Sequence, residues 1–239
     1  MYRSLDAARI QETVARLEQR IRERFPRSGL LRVCGELRAV ADEADEQCRW
    51  IRRPHLGLRV AVATVAGILI LSLGALLFTF GNTVHTADVT LLDLIQVLEA
   101  GINDLVLMGV AIFFLVTYEG RLKQKKALRN LNDLRALAHV VDMHQLTKDP
   151  VRIVKRGPDR PDTPSSPEQR LTPFQLSRYL DYCSEMLSLI GKLAALYAQS
   201  CSETPVLSAV TEIENVATGL SQKIWQKITN LERLDLVDE

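Results

Sequence analysis

The sequence has almost no net charge, because its 30 Lys and Arg residues are nearly balanced by 29 Asp and Glu residues. A protein that binds nucleic acid through its phosphates needs a basic surface that attracts them. In this chain the basic residues cluster only locally, beside two apolar runs. We therefore predict that nucleic acid is not a partner.

The sequence also lacks the short motifs of common enzymes. It has no glycine-rich phosphate loop, no Gly-x-Ser-x-Gly turn and no cysteine beside an identifiable base. The four cysteines are Cys34, Cys48, Cys183 and Cys201. None forms a Cys-x-x-Cys pair, so we expect reduced thiols that pack as small apolar groups. We predict a protein without a cofactor and without enzymatic activity.

Two apolar runs dominate the middle of the chain. The 21 residues from Val60 to Phe80 carry no formal charge, and a second run extends from Leu105 to Tyr118. A helix of about 20 apolar residues crosses a hydrocarbon core of about 30 Å, because its backbone polar groups bond one another. We predict a two-span transmembrane hairpin over 58–118, with spans at about 59–80 and 102–118 and a connecting segment at 81–101. The alternative for the second run is a buried helix of a soluble protein.

The charges beside these runs predict the orientation of the hairpin. The flanking basic residues are Arg49, Arg52, Arg53, Arg59, Arg121, Lys123, Lys125 and Lys126. Residues 81–104 contain no Lys or Arg. Because Lys and Arg favour the cytoplasmic side, we expect both termini in the cytoplasm and the lipid bilayer as a partner. A short basic-flanked hairpin is typical of a bacterial inner membrane. The first 50 residues lack the pattern of a cleaved signal peptide, so span one would act as the signal anchor.

Outside the hairpin, apolar residues recur at spacings of three and four, which is typical of amphipathic helices. We predict an all-α fold, with N-terminal helices in 1–54, a helix in 119–149 that can prolong span two, and a helical hairpin in 173–239. Thr172, Pro173 and Gln175 have the pattern of a helix start. Six of the nine prolines lie between 150 and 173, which predicts a linker at 150–172.

The apolar stripes of these helices need partners. Their spacing fits coiled-coil seams, either within one chain or between copies. We therefore expect a cytoplasmic helical bundle built from both flanks, a homo-oligomer and a cytoplasmic protein partner that docks on exposed helix faces.

Acidic residues near the outer end of the hairpin are the first candidate site for a pore or an interface. On a continuous helix, Asp93 and Asp104 share one face, and Glu99 lies between them. In an assembly of hairpins, Asp104 would form an acidic ring suited to cations. The interpretation that we favour instead places Asp104 at the membrane interface, with residues 88–100 as a surface helix that bends at Gly101.

A second candidate is the cluster of His139, Asp142 and His144, whose side chains are able to bind a metal ion. His139 and Asp142 face together on a helix, but His144 points about 140° away, unlike the pair of histidines in zinc peptidase helices. We expect a polar helix end that packs against its neighbours. The whole sequence predicts a membrane-anchored helical scaffold, sensor or signalling adaptor. The alternative is an oligomeric ion channel or transporter.

Overall fold

The computed structural model describes residues 4–53, 56–86, 91–150, 165 and 171–235. The helices are α1 (Ala7–Arg24), α2 (Gly29–Arg52), α3 (Leu56–Thr86), α4 (Leu91–Leu146), α5 (Pro173–Ser200) and α6 (Thr204–Asp235). They account for 91% of the described residues, which contain no strand. The predicted all-α fold is therefore confirmed. Most of the predicted linker, 150–172, lies outside the described residues, as do the side chains of Arg59 and Asp93.

The start of α5 has the cap that its sequence predicts. Thr172 Oγ1 accepts a hydrogen bond from the Gln175 amide at 3.2 Å, and Gln175 Oε1 accepts one from the Thr172 amide at 3.0 Å. Pro173 occupies the first turn, where no backbone donor is needed. This reciprocal capping box satisfies two backbone amides and fixes where α5 begins.

The chain forms two compact units. Unit 1 contains Met1–Arg52 and Gln124–Glu239, and unit 2 contains Arg53–Lys123. The helix α4 begins in unit 2 and ends in unit 1. Unit 1 is therefore assembled from two separate parts of the sequence, one before unit 2 and one after it in the chain.

Unit 1 has one hydrophobic core, to which α1, α2, α5, α6 and the C-terminal part of α4 all contribute. Fully buried side chains from these helices include Leu17, Leu37, Leu134, Leu187 and Ile224. Truncation of a buried Leu to Ala typically costs about 2–5 kcal/mol, so a core of this kind is the main source of stability. The apolar stripes that the sequence predicts on these helices are thus covered within one chain.

Within unit 1, α2 and α4 run antiparallel. Gly29 at the start of α2 packs against His144 near the end of α4. At the other end of the pair, the Lys126 ammonium lies 4.5 Å from the centre of the Trp50 ring. The chain leaves unit 1 at Arg52, two residues after Trp50. It re-enters unit 1 at Gln124, two residues before Lys126. The two chain ends that continue into unit 2 are therefore neighbours.

Unit 2 consists of α3 and the first part of α4, and its apolar side chains are largely uncovered. Ile70, Phe113 and Phe114 are 64%, 73% and 68% exposed. Among the described residues, one helix, over Ile95–Leu146, is long and apolar enough to cross a membrane, whereas the described apolar stretch of α3, Val60–Ala75, is shorter than a span. The two-span hairpin remains a prediction.

The helix α4 differs from our expectation at its N-terminal end. We favoured a surface helix over residues 88–100 with a bend at Gly101, but α4 is continuous from Leu91 through Gly101. A glycine inside a helix costs only about 1 kcal/mol relative to alanine, and uninterrupted apolar spacing on both sides outweighs that cost. Residues 91–101 therefore prolong the second apolar helix.

Candidate functional site

A polar pair joins the two helices of unit 2. Asp104 lies on the face of α4 that is half-buried against α3, and the Ser72 hydroxyl donates a hydrogen bond to Asp104 Oδ2 at 2.7 Å. Ser72 Oγ also lies 2.9 Å from the Leu69 carbonyl oxygen. One hydroxyl proton is thus shared between two acceptors, and the other lone pairs of the carboxylate have no partner among the described residues.

The pair lies well inside the apolar run of α3. Ser72 is 12 residues after Val60 and eight residues before Phe80. At 1.5 Å per residue, it lies about 18 Å and about 12 Å from the two ends of that run. The structure therefore places Asp104 beside apolar sequence rather than beside the end of α3, where we expected it. The reason is that α4 begins at Leu91, three turns before Asp104.

The other two predicted acidic residues, Asp93 and Glu99, lie on the same helix as Asp104. Because α4 is continuous, Asp93 and Asp104 share one helix face by backbone geometry, although the Asp93 side chain is outside the described residues. Glu99 is exposed and lies five residues before Asp104. Of the three predicted residues, only Asp104 has a described partner on α3.

The basic residues that flank the apolar runs differ in their contacts. In unit 1, Arg49 pairs with Asp45 at 3.0 Å, and Arg52 Nε donates to Ser200 Oγ at 3.1 Å. Lys126 covers the Trp50 ring, and Lys125 is exposed. In unit 2, Lys123 pairs with Glu119 at 2.6 Å, whereas Arg53 and Arg121 are exposed.

The structure does not bring His139, Asp142 and His144 together. His139 is exposed, Asp142 Oδ1 accepts a hydrogen bond from Gln145 Nε2 at 2.5 Å, and His144 packs against Gly29 of α2. Burial lowers the pKa of His144, and the charges of Arg32 and Lys148 lower it further. The described part of the chain contains no group of three His, Cys, Asp or Glu side chains arranged to bind a metal ion.

Sequence reasoning missed a polar contact at the end of α4. The Gln145 side chain is buried, and Lys227 of α6 donates from Nζ to the Gln145 carbonyl oxygen at 2.8 Å and to its Oε1 at 2.6 Å. Burial lowers the pKa of Lys227, while Asp149 and Asp142 oppose that shift. A cation beside the last carbonyls of a helix offsets the negative end of its dipole. Lys227 lies three residues after the buried Ile224, and this spacing is the signal that points to it.

The four cysteines are buried and unpaired, as the sequence predicts. Burial raises the pKa of Cys34 and of Cys183 to about 12. Because a thiolate is the reactive form, the raised pKa keeps these two thiols in their less reactive protonated form.

The surface of unit 1 has a groove along α5. Its first part, of about 790 Å³, lies between α5 and the N-terminal residues through α1. Its second part, of about 600 Å³, lies between α5 and α6. Leu5, Ser188 and Lys192 line both parts. We call this feature the α5 groove.

An exposed tryptophan lies on the same face of α6 as one wall of the α5 groove. Thr218 and Ser221 line the groove, and Trp225 follows Ser221 after one further helical turn. The Trp225 side chain is 68% exposed, and its indole has no hydrogen-bond partner among the described residues. Small side chains that line a concave surface beside an exposed aromatic ring are suited to docking of a protein segment.

No protein family, curated protein or solved structure matches this chain.

Proposed function

We propose that this chain is an integral membrane protein in which α3 and the first part of α4 form a two-span hairpin, with unit 1 on the cytoplasmic side. The observation that carries the proposal is the uncovered apolar surface of unit 2, including Ile70, Phe113 and Phe114. Apolar surface in water costs about 25 cal/mol for each Å², and a bilayer removes that cost. The backbone of a helix has no unpaired groups along its length, so a helix enters lipid without a penalty there.

Two features of the chain support a membrane hairpin rather than a single crossing. The chain leaves and re-enters unit 1 at neighbouring positions, marked by the contact between Trp50 and Lys126. Basic residues accompany both ends, whereas residues 81–104 contain none. The same asymmetry supports a topology with both termini in the cytoplasm, and the short connection suits a bacterial inner membrane.

Within this membrane anchor, unit 1 acts as a non-enzymatic scaffold, sensor or signalling adaptor. Its large core uses the apolar residues of five helices, and ion pairs such as those of Arg38 with Glu18 and Arg20 with Glu185 join its helices. The α5 groove and Trp225 provide a surface for a cytoplasmic protein partner.

Labelling of single introduced cysteines tests the topology. The native thiols are buried, so a membrane-impermeant maleimide reports on the introduced cysteine. In sealed inverted vesicles, we expect Glu36→Cys, at an exposed position of α2, to react at once and Thr86→Cys, at the end of α3, to react only after permeabilisation. The proposal fails if both positions react equally in sealed vesicles.

Site-specific photo-crosslinking tests the scaffold role. A photoreactive amino acid at Thr218, within the α5 groove, should give a discrete adduct with one cytoplasmic protein in cells. The matched control carries the same amino acid at Glu36, which is exposed and far from the groove in sequence. Identical adducts at both positions, or none at Thr218, would contradict a docking role for the groove.

The second candidate function is an oligomeric cation channel or transporter, and the hydrogen bond between Ser72 and Asp104 favours it. A carboxylate inside a membrane is costly and usually serves an ion pathway or a partner. Flux of cations into liposomes should then occur with the wild type and change with Asp104→Asn. Absence of flux from the wild type across several cations and voltages would exclude this function.

A further inference from the structure

The two faces of α4 in unit 2 have different environments. The residues of one face, which includes the contact of Asp104 with Ser72 of α3, are half-buried: Val97, Gly101, Asp104, Met108, Ala111 and Leu115. The residues of a second face are all exposed: Gln96, Ala100, Asn103, Leu107, Val110 and Phe114. Both sets recur at alternating spacings of four and three, which is the pattern of a helix-packing seam. We call the second set the outer seam.

Asn103 is the polar residue of the outer seam that lies closest to the pair of Ser72 and Asp104. It is adjacent to Asp104 in sequence and therefore lies at the depth of the pair with Ser72, inside the apolar part of α3. Its amide has no hydrogen-bond partner among the described residues. In hydrocarbon, an amide without a partner is costly, and Asn side chains of membrane helices hydrogen-bond across helix interfaces.

The chemistry of the seam identifies the partner as a second copy of this chain. Copies in one membrane share an orientation, so identical seams meet in parallel, and each residue meets its own equivalent at the same depth. An amide both donates and accepts, and Asn103 is therefore complementary to itself. The outer seam contains no charged residue, so this parallel pairing brings no like charges together.

We infer that the outer seam of α4 is a homodimer interface within the membrane, with Asn103 of each copy hydrogen-bonded to Asn103 of the other. This inference depends on the proposed membrane hairpin. Ala100, Leu107, Val110 and Phe114 of the seam provide apolar packing, with Leu107 and Val110 exposed by 62% and 61% in the single chain. A single Asn at a seam position fixes the register and the number of helices in coiled coils, and Asn103 has that position here.

Crosslinking of the full chain in proteoliposomes tests the geometry of the interface. A disulfide requires Cβ atoms about 4 Å apart, a separation that only residues facing each other across the interface approach. Mild oxidation should therefore crosslink Val110→Cys into dimers. Leu105→Cys is the matched control, because Leu105 is also exposed, at 64%, but lies on a different face of α4. Equal crosslinking at the two positions would overturn the inference.

Association of fluorescently labelled chains, measured by energy transfer at a series of protein-to-lipid ratios, tests the role of Asn103. Asn103→Leu should weaken dimerisation by about tenfold, whereas Asn103→Gln, which keeps the amide, should weaken it less. A monomeric wild type at every ratio, or dimers that Asn103→Leu leaves unchanged, would overturn the inference.

Maleimide labelling of Thr86→Cys in the same preparations distinguishes a failure of the membrane hairpin from a failure of the dimer interface. A chain that inserts with the proposed topology but does not associate overturns only the dimer interface. A chain that does not insert overturns the membrane hairpin and the interface with it.

Discussion

At the scale of single residues, the folded chain is defined by a few polar side chains held among apolar ones. Glu18 is the clearest case in unit 1, because its side chain is only 9% exposed and accepts from both Arg22 and Arg38. The Arg38 contact, at 2.8 Å, joins α1 to α2. The pair with Arg22 has the local spacing of four residues on α1, but the contact with Arg38 is not visible in the spacing of the sequence, because that partner is 20 residues away on another helix.

Replacement of Glu18 by Ala should lower the free energy of unfolding of unit 1 by about 2 kcal/mol, because two arginines then lose their shared acceptor near the core. This loss of stability is smaller than the loss expected from breaking a fully buried ion pair, since both arginines are half-exposed. Both tryptophans of the chain, Trp50 and Trp225, lie in unit 1, so denaturant titration by tryptophan fluorescence reports on this unit.

The matched control for Glu18 is Glu12→Ala. Glu12 also lies on α1 and pairs with an arginine four residues later, Arg16, but both side chains are exposed. Its removal should cost less than about 0.5 kcal/mol. Equal losses from the two variants would show that burial of Glu18 is not what matters.

His144 should make the stability of unit 1 depend on pH. The folded protein lowers the pKa of His144 below its ordinary value of 6.5, so the unfolded chain binds the proton more readily. The contribution of neutral His144 to the stability of the folded state is fully present above pH 6.5. It is lost as the pH falls through the pKa of His144 in the folded protein. Thermal unfolding followed by tryptophan fluorescence between pH 8 and pH 5 should therefore show a smaller loss in His144→Gln. His139→Gln, at an exposed position of the same helix, is the matched substitution for comparison.

At the scale of elements, the ends of the helices divide into those that the sequence predicts and those that it does not. The capping box of α5 was predictable, because Thr172 and Gln175 are local in sequence. The start of α4 was not, because the acidic residues near Asp104 suggested a membrane surface and Gly101 suggested a bend. The C-terminal end of α4, at Leu146, lies within the predicted range 119–149, but the contact of that end with Lys227 was not predictable, because Lys227 is 82 residues from Gln145.

Lys227→Met should destabilise the contact between α4 and α6. The substitution keeps the length of the side chain but leaves the Gln145 carbonyl and amide oxygens without their donor, which should cost about 1–3 kcal/mol. Lys223→Met, at an exposed position one turn earlier on α6, is the control and should have little effect. Hydrogen exchange of the last turn of α4 should rise in the Lys227 variant only. Equal exchange in both variants would argue against a capping role for Lys227.

At the scale of the whole molecule, the sequence distinguishes the two units by composition alone. The charge-free run from Val60 to Phe80 lies in unit 2, and the charged amphipathic helices lie in unit 1. What composition does not reveal is which helices share the core, because that depends on side chains far apart in sequence. The pair of Ser72 and Asp104, 32 residues apart, was missed for the same reason.

The four cysteines should report on the opening of unit 1 as a whole. Cys34, Cys48 and Cys183 are buried in helices of unit 1, and Cys201 is buried at the end of α5. We expect a thiol-specific reagent to label all four in denaturant and almost none in the native protein in detergent. The exposed thiol introduced by Glu36→Cys should react at once in the native state. Rapid labelling of one native cysteine would instead indicate local opening around that residue.

The division of unit 1 into two parts of the sequence has a consequence for the order of events during synthesis. The helices α1 and α2 leave the ribosome first, but their partners α5 and α6 follow only after the apolar helices of unit 2 have been made. About 150 residues separate Arg52 from the end of α5, which at about 10 residues per second amounts to about 15 s. Until the end of α4 and then α5 have been made, α1 and α2 pack only against each other, and the sides of these helices that face the rest of the core stay uncovered. The first helices of this chain are thus the ones with the greatest need of a chaperone while it is being made.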